Sequence, residues 1–297
     1  MHVTVVPASP KTGQAAIRAL LADPRAPTVR GYYRDATKVP AEFRSNPRFE
    51  AVKGDVEDAA SLDFAGSDAV LNITPPLFDE RDVVEHARHV SENVKAAVKK
   101  AASVKRLVYL SSVGAQYDHG TGEILSNHAA EAVLKDAAPE VVFVRCTYFM
   151  ENWAMGLETL AQGFFFTTLT PPDRPLSMVA VQDIAAELAS ALLSAGAALP
   201  ARPYAYELHG PRDYTSNDVR TALEEAAGRT LDMKAVPREG LYDFYAAVFP
   251  PKVAQLYAEM NASYLEGGIL DENPRPTGEV RRGATELGDV FRGLVQG

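Results

Sequence analysis

The chain has 297 residues, of which 46% are hydrophobic and 23% charged, a balance typical of a folded globular protein. Its formal net charge of −9, without a dense run of Lys and Arg, argues against nucleic-acid binding, because that function needs clustered positive charge. The sequence lacks a recognisable signal peptide and any run of roughly 18 apolar residues, so it predicts a cytoplasmic protein with no membrane partner. It leaves the oligomeric state open.

Short β-rich runs alternate with longer helical patterns along the chain. Strands are predicted at residues 3–6, 28–33, 49–53, 68–72, 106–111 and 141–145, with another at 205–208. Their continuous apolar character is typical of a sheet that is buried on both faces. Apolar residues recur every three or four positions in 12–21 and 83–101, which predicts crossover helices. The single cysteine, Cys146, ends one apolar run and is predicted to be buried.

Repetition of strand, helix and strand predicts an α/β fold with a doubly wound, Rossmann-like parallel sheet, which binds ligands at the carboxyl ends of its strands. Residues 1–150 are assigned to this dinucleotide-binding region. Residues 151–297 are predicted to return in part to the same layers and to form a smaller, substrate-facing lobe. Helices are predicted there at 152–163, 181–195, 218–228 with Ser216 as N-cap, and within 241–264.

The loop after the first strand occupies the position of a dinucleotide phosphate loop, G-x-x-G-x-x-G. Pro7 and Pro10 stand where the first two glycines belong, and only the last, Gly13, is kept. Proline fixes φ near about −65° and lacks an N–H, whereas glycine lets the backbone approach a pyrophosphate closely. Two interpretations follow: Lys11, Thr12 and Gly13 still hold NADP(H) at the helix N-terminus, or the fold has lost its cofactor.

Two further loops offer residues for the adenosine half of a dinucleotide. Arg34 ends the second strand about twenty residues beyond the loop, where the residue that reads the ribose is expected. A guanidinium there can pair with a 2′-phosphate, which favours NADP over NAD; the alternative is a surface pair with Asp35. Asp55 follows the third strand, where it can accept from the adenine amine or serve as a helix cap.

Candidate catalytic residues follow the fifth strand. Ser111 and Ser112 end that strand, and their hydroxyls can polarise a substrate carbonyl or satisfy local backbone groups. The Tyr-x-x-x-Lys pair of short-chain dehydrogenases is missing from the next helix. That helix carries His128, a candidate general acid with Glu131 as its orienter; the alternative is a histidine without a chemical role. No spacing supplies a third metal ligand, so no metal is predicted.

Aromatic side chains are frequent beyond residue 150. They suggest an apolar or aromatic ligand, although core packing explains most of them equally well. The residues concerned are Phe164, Phe165, Phe166, Tyr242, Phe244 and Tyr245.

Several segments together resemble the NmrA-like family of atypical short-chain dehydrogenases, and they keep their order over nearly the whole chain. They are the loop at 7–13, Gly-Asp-Val at 54–56, Leu-Ser-Ser-Val-Gly-Ala-Gln at 110–116, and the segments 120–131, 145–153, 181–185 and 209–214. The resemblance implies a Rossmann domain, NAD(P)(H) binding, and either reductase activity or a redox-sensing role.

The resemblance also implies roles for individual residues. The cofactor-binding residues that it implies are Ser9, Lys11, Thr12 and Gly13 in the phosphate loop, Arg34 at the 2′-phosphate, Asp55 and Val56 at the adenine, and Thr74 and Pro75 beside the nicotinamide. The substrate-lining residues that it implies lie between Tyr148 and Trp153 and include Phe149 and Asn152.

Three functions remain open from the sequence. The first is an NADP-dependent oxidoreductase that transfers hydride to a small organic substrate of apolar or aromatic character. The second is a cofactor-free isomerase, dehydratase or cyclase that uses His128, Ser111 and Tyr148 in the same cleft. The third is a non-catalytic NADP sensor, which the missing Tyr-x-x-x-Lys pair permits.

Overall fold

The computed structural model describes residues 1–272 and 278–296. The strands are β1 (His2–Val6), β2 (Thr28–Tyr33), β3 (Phe49–Lys53), β4 (Ala69–Ile73), β5 (Arg106–Ser112), β6 (Glu140–Cys146), β7 (Tyr148–Phe149), β8 (Phe164–Thr167), β9 (Leu176–Val179), β10 (Tyr204–His209), β11 (Asp213–Tyr214), β12 (Asp232–Ala235) and β13 (Glu279–Arg282).

The α-helices are α1 (Lys11–Ala22), α2 (Ala41–Arg44), α3 (Val83–Lys100), α4 (Leu125–Leu134), α5 (Leu157–Leu160), α6 (Val181–Leu193), α7 (Ser216–Ala227), α8 (Leu241–Ala246), α9 (Pro251–Tyr264), α10 (Ile269–Glu272) and α11 (Leu287–Gln296). Short 3₁₀ helices lie at Ala36–Lys38, Ala59–Ser61, Gly122–Ile124, Met150–Gly156 and Arg238–Gly240.

The central sheet has eight parallel strands in the order β13-β10-β6-β5-β4-β1-β2-β3. The strand order reverses between β1 and β4, so the connections after β1 and β4 leave in opposite directions. A crevice opens at such a switch point, beyond the carboxyl ends of the strands. The loops after β1 to β6 therefore all meet at one edge of the sheet.

The central strands of the sheet are buried on both faces, as their apolar runs predict, whereas the edge strand β3 is partly exposed. Alternate residues of β5 point to opposite faces: Val108 and Leu110 pack in a cluster with α1 and α6, whereas Leu107 and Tyr109 pack with α3 and α4. This arrangement of helices on two faces confirms the predicted doubly wound α/β fold. Cys146 is buried as predicted, and burial raises the pKa of its thiol.

The predicted strands all form, with bounds that differ by at most one residue at either end. The helix predicted at 152–163 is wrong. Its first part is the 3₁₀ helix Met150–Gly156, and α5 covers only Leu157–Leu160 before Gly163, which has a φ of 84°, turns the chain into β8. Two glycines in this stretch disfavour a continuous helix.

The predicted N-cap of α7, Ser216, is also wrong. Thr215 caps the helix: its side chain accepts from the Asp218 N–H, and Asp218 in turn accepts from the Thr215 N–H. The Ser216 hydroxyl is instead buried and donates to the carbonyl of Leu169. A capping box with a carboxylate three residues on satisfies two backbone donors, which explains why Thr215 takes this position.

The C-terminal half contributes β10 and β13 to the central sheet and builds smaller units beside it. A three-stranded sheet has the order β11-β9-β7, and β8 pairs with β12 in parallel. Helices α8 and α9 pack together around the aromatic side chains of Tyr245 and Tyr257. Among the residues that the structure describes, no helix has the length and apolar character needed to span a membrane.

Candidate active site

The phosphate loop keeps backbone donors despite its prolines. Pro10 is the N-cap of α1, and the helix has neither a capping side chain nor an acidic residue in its first turn. Within residues 1–272 and 278–296, the N–H groups of Lys11, Thr12 and Gly13 have no acceptor. Such a helix start combines free donors with the positive end of the helix dipole, so it suits an anion.

Gly13 is the glycine that this loop needs. A Cβ atom on Gly13 would lie 3.0 Å from the carbonyl oxygens of both Pro7 and Ala8. The Ala8 N–H donates to the carbonyl of Tyr32 at 2.9 Å and ties the loop to β2. Helix α1 therefore starts directly against the loop backbone, and a side chain at position 13 would push the three free donors away from it.

Arg34 stands free at the end of β2. The alternative pairing with Asp35 is wrong, because the Asp35 carboxylate accepts from the N–H and hydroxyl of Thr37. In the part of the chain that the structure describes, the Arg34 guanidinium has no hydrogen bond or ion pair. It lies near the loop after β3: the pKa of Glu57 is lowered mainly by its hydrogen bond to Arg81, with a smaller contribution from Arg34.

The loop after β3 is held by its own polar groups. Asp55 Oδ1 accepts from the Glu57 N–H at 3.0 Å, so this carboxylate shapes a turn, and Asp58 rather than Asp55 caps the next 3₁₀ helix. The Val56 side chain is buried, and its carbonyl accepts from Asn93 Nδ2 at 2.9 Å. Asp55 and Val56 thus lie at the predicted edge, and a contact of either with adenine stays a prediction.

The buried Tyr109 hydroxyl joins the end of β4 to α4. It lies 2.9 Å from Thr74 Oγ1 and accepts from Asn127 Nδ2 at 3.0 Å. Thr74 and Pro75 follow β4 directly, where the resemblance places the nicotinamide. These two hydrogen bonds hold Thr74 and the start of α4 in a fixed position relative to each other, at the carboxyl ends of β4 and β5.

His128 is oriented by a backbone carbonyl. Its Nδ1 lies 2.9 Å from the carbonyl oxygen of Ala115, which can only accept, so Nδ1 carries the hydrogen. A neutral His128 therefore presents Nε2 as an acceptor and donates there only when it is protonated. The predicted orienter, Glu131, is wrong, because its carboxylate binds Arg145 and Ser111 while His128 Nδ1 binds the Ala115 carbonyl.

Glu131 belongs to a buried ionic network with Arg145 and Ser111. Arg145 donates to both carboxylate oxygens of Glu131, at 2.9 Å through Nε and 2.6 Å through Nη2. The Ser111 hydroxyl donates to the same carboxylate at 2.6 Å, and Ser111 is only 3% exposed. This favours the alternative for Ser111, a hydroxyl that satisfies a buried polar group, over its predicted role as a donor to substrate.

Aromatic side chains form a wall after β6, which we call the aromatic wall and define as Tyr148, Trp153, Phe165 and Tyr264. The Tyr148 ring lies 6.2 Å from Trp153 and 6.4 Å, edge-on, from Tyr264, and Trp153 lies 6.2 Å from Phe165. The indole N–H of Trp153 is buried and has no acceptor among the described residues. Burial raises the pKa of the Tyr148 phenol, so Tyr148 is protonated at neutral pH.

The other predicted substrate-lining residues, Phe149 and Asn152, differ in their burial and contacts. Phe149 pairs with β9 and packs against the core on one face of the central sheet, whereas Asn152 is exposed. Of the aromatic residues noted beyond 150, Phe165 alone joins the aromatic wall. The remainder pack together in the lobe or lie exposed: Phe164, Phe166, Tyr242, Phe244 and Tyr245.

One titratable residue at this end of the molecule, Glu123, was not predicted from the sequence. It lies on the 3₁₀ turn before α4, and burial of its carboxyl raises its pKa to about 7, partly offset by a hydrogen bond from Ser126. Helix α9, more than a hundred residues later, packs against this turn and buries it. No local pattern around Glu123 could have revealed that contact.

Comparison with known proteins supports a nucleotide-binding fold. A family model described as NAD(P)H-binding matches residues 8–194. An NAD(P)H azoreductase of Xenophilus azovorans is 27% identical over 264 residues, which is 86% of this chain and 86% of that protein.

Two solved structures share the fold over almost the full length. The triphenylmethane reductase of a Citrobacter species, complexed with NADP(H), has a TM-score of 0.72 at 17% identity, covering 99% of this chain and 100% of the other. The NADPH-dependent quinone oxidoreductase of Escherichia coli, complexed with NADPH, has a TM-score of 0.74 at 20% identity, covering 99% of both chains.

Proposed function

The chain belongs to the NAD(P)H-binding family, in keeping with its resemblance to atypical short-chain dehydrogenases, and we propose that it is an NADPH-dependent reductase of small aromatic compounds. The observation that carries the proposal is the pairing of free anion-binding groups with an aromatic wall at one edge of the sheet. The free groups are the N–H donors of Lys11, Thr12 and Gly13 and the guanidinium of Arg34.

These residues would bind different parts of the cofactor. The donors of Lys11, Thr12 and Gly13 would hold the pyrophosphate, and Arg34 would pair with the 2′-phosphate that distinguishes NADPH from NADH. The two prolines remove donors at positions 7 and 10, but the helix start supplies three others without competition from a carboxylate. The loop therefore fits a dinucleotide even though its glycine pattern is broken.

The reduction would need a hydride from the cofactor and side chains of this protein that bind and orient the substrate. When bound, the reduced nicotinamide supplies the hydride. Thr74 and Asn127, both hydrogen-bonded to the Tyr109 hydroxyl, would shape the site beside it. Tyr148 keeps its proton at neutral pH and can donate a hydrogen bond to a substrate carbonyl or nitrogen, although no lysine lowers its pKa.

The aromatic wall favours a flat, electron-poor substrate. Tyr148, Trp153 and Tyr264 offer ring faces and edges for stacking, and the unpartnered Trp153 N–H can donate to an acceptor atom on the ligand. The relatives are named for azo compounds, triphenylmethane dyes and quinones, which are all conjugated ring compounds. The cofactor-free alternative loses its catalytic trio, because Ser111 is committed to Glu131 inside the protein.

The proposal predicts NADPH-dependent turnover of aromatic acceptors. Purified protein should oxidise NADPH in the presence of an azo dye, a triarylmethane dye or a quinone, with a lower kcat/KM for NADH, and the loss of reduced-nicotinamide absorbance measures the rate. Tight NADPH binding without turnover of any of the three acceptor classes would contradict the reductase and favour a sensor.

A further inference from the structure

Helix α9 spans the carboxyl edge of the central sheet. Lys252, in its first turn, donates to the carbonyl of Glu80 in the loop after β4 at 2.8 Å. Its middle packs on the turn that follows β5, where a Cβ atom on Gly122 would lie 2.1 Å from a backbone carbonyl oxygen of α9. Tyr264, in its last turn, lies edge-on to Tyr148 after β6, with 6.4 Å between the ring centroids. Helix α9 therefore contacts the loops after three neighbouring strands, at the edge that carries the candidate active site.

The loop after β4 is the least firmly held of these three loops. We call its residues 75–81 the strap; it begins with Pro75 and Pro76, which lack an N–H. Within the described ranges, the strap makes no backbone–backbone hydrogen bond. Leu77 is its buried residue, at 9% exposure, whereas Phe78 is 51% exposed. A segment with few buried contacts and no backbone hydrogen bonds opens locally at a lower free-energy cost than the strands beside it.

Side chains on the surface hold the strap in place. The Phe78 ring is stacked on Phe249, with 5.8 Å between the centroids and 7° between the planes. Phe249 packs against the core of α8 and α9 and stacks in turn on Tyr257, at 4.9 Å. At the other end of the strap, Arg81 pairs with Glu57 in the loop after β3 at 3.0 Å, and the Arg81 side chain is 51% exposed. Exposed contacts of this kind are individually weak, so they can separate without unfolding the domain.

We propose that the strap is a gate that opens to admit the aromatic substrate to the candidate active site. Its latch is the stack of Phe78 on Phe249, together with the hydrogen bond that Lys252 donates to the strap. The other two contacts of α9 are a backbone packed against Gly122 and an aromatic pair within the aromatic wall, so the strap is the part that yields. The identity of the ligand rests on the proposed function, whereas the opening of the strap does not. A dye with three rings needs a wider opening than a small quinone does.

Thiol labelling measures the opening without any turnover. Cys146 is only 1% exposed, so a chromogenic thiol reagent should report on an introduced cysteine alone. Leu77→Cys places a thiol at the buried position of the strap, where it reacts when the strap opens. In this background, Phe249→Leu and Lys252→Met, which each remove one part of the latch, should raise the labelling rate by about 2- to 10-fold. Val248→Ala, beside Phe249 but 67% exposed, is the matched control and should leave the rate unchanged.

A covalent bridge across the latch tests the gate directly. Phe78→Cys combined with Phe249→Cys allows dibromobimane, which fluoresces when it has joined two thiols, to hold the strap against α9. The bridged protein should turn over a triarylmethane dye about tenfold more slowly than the same variant before bridging, and a small benzoquinone should be affected less. Each single cysteine variant, treated with the same reagent, controls for the chemical modification itself.

The two measurements separate the possible failures. Labelling of Leu77→Cys that neither Phe249→Leu nor Lys252→Met accelerates would overturn the latch. Undiminished turnover of the triarylmethane dye by the bridged protein would overturn the gate. Absence of turnover of every acceptor by the wild-type protein would instead overturn the reductase function, while the labelling rates would still decide whether the strap is latched to α9.

Discussion

Replacing Arg145 by Met is expected to lower the free energy of unfolding by about 3–5 kcal/mol, because it leaves a buried carboxylate without its cation. The Arg145 and Glu131 side chains are only 12% and 10% exposed, and the guanidinium binds both carboxylate oxygens. After the substitution, Glu131 would keep only the Ser111 hydroxyl among its described partners. Urea denaturation of the variant and the wild-type protein measures the loss.

The exposed pair of Arg18 and Glu42 provides the matched control. Its side chains are 50% and 51% exposed, so Arg18→Met should cost less than about 1 kcal/mol. The double change Arg145→Met with Glu131→Gln should recover part of the loss, because it removes the unpaired charge. Equal stability of Arg145→Met and Arg18→Met would contradict the role given to the buried network. Since Glu131 anchors α4 to the sheet, the network also positions Asn127 and His128.

Replacing Arg34 by Ala is expected to weaken NADPH binding by about 10- to 100-fold, because a charge-assisted pair with the 2′-phosphate is lost. The NADH affinity should change by less than about twofold, since NADH has no phosphate at that position. The guanidinium is exposed and without a partner in the described chain, so its loss should leave stability unchanged. Isothermal titration with each nucleotide measures the two affinities.

The control for Arg34 is Arg25→Ala. Arg25 is also exposed, but it lies between α1 and β2, at the opposite edge of the sheet, and pairs with Asp23. Its removal should leave both nucleotide affinities unchanged. A parallel loss of NADPH and NADH affinity in Arg34→Ala, or no loss of either, would remove the assignment of Arg34 to the 2′-phosphate.

The central sheet was predictable from sequence because its strands are continuous apolar runs separated by amphipathic helices. The period of the apolar residues also specifies which faces pack, as the alternation of Val108, Tyr109 and Leu110 between two cores shows. Residues 152–163 were not predictable, because glycines and tertiary packing divide this segment into the end of a 3₁₀ helix, one α-turn and a turn that leads into β8.

The cofactor side of the site was more predictable than the chemical side. Lys11, Thr12, Gly13 and Arg34 occupy fixed positions relative to two strands, so counting along the chain was enough to place them at the edge of the sheet. The interaction of Glu131 with Ser111 and Arg145 was not predictable, because Arg145 lies beside Ser111 on the neighbouring strand and meets Glu131 of α4 only in the folded chain. Glu123 was missed for the same reason, since its environment is made by α9.

The most direct test of this account is isothermal titration of the wild-type protein with NADPH and, separately, with NADH. We expect micromolar binding of NADPH and weaker binding of NADH, because the free donors of Lys11 to Gly13 would hold the pyrophosphate and Arg34 would pair with the 2′-phosphate. Binding of neither nucleotide at millimolar concentration would contradict it and would show that the prolines at positions 7 and 10 have abolished the cofactor site.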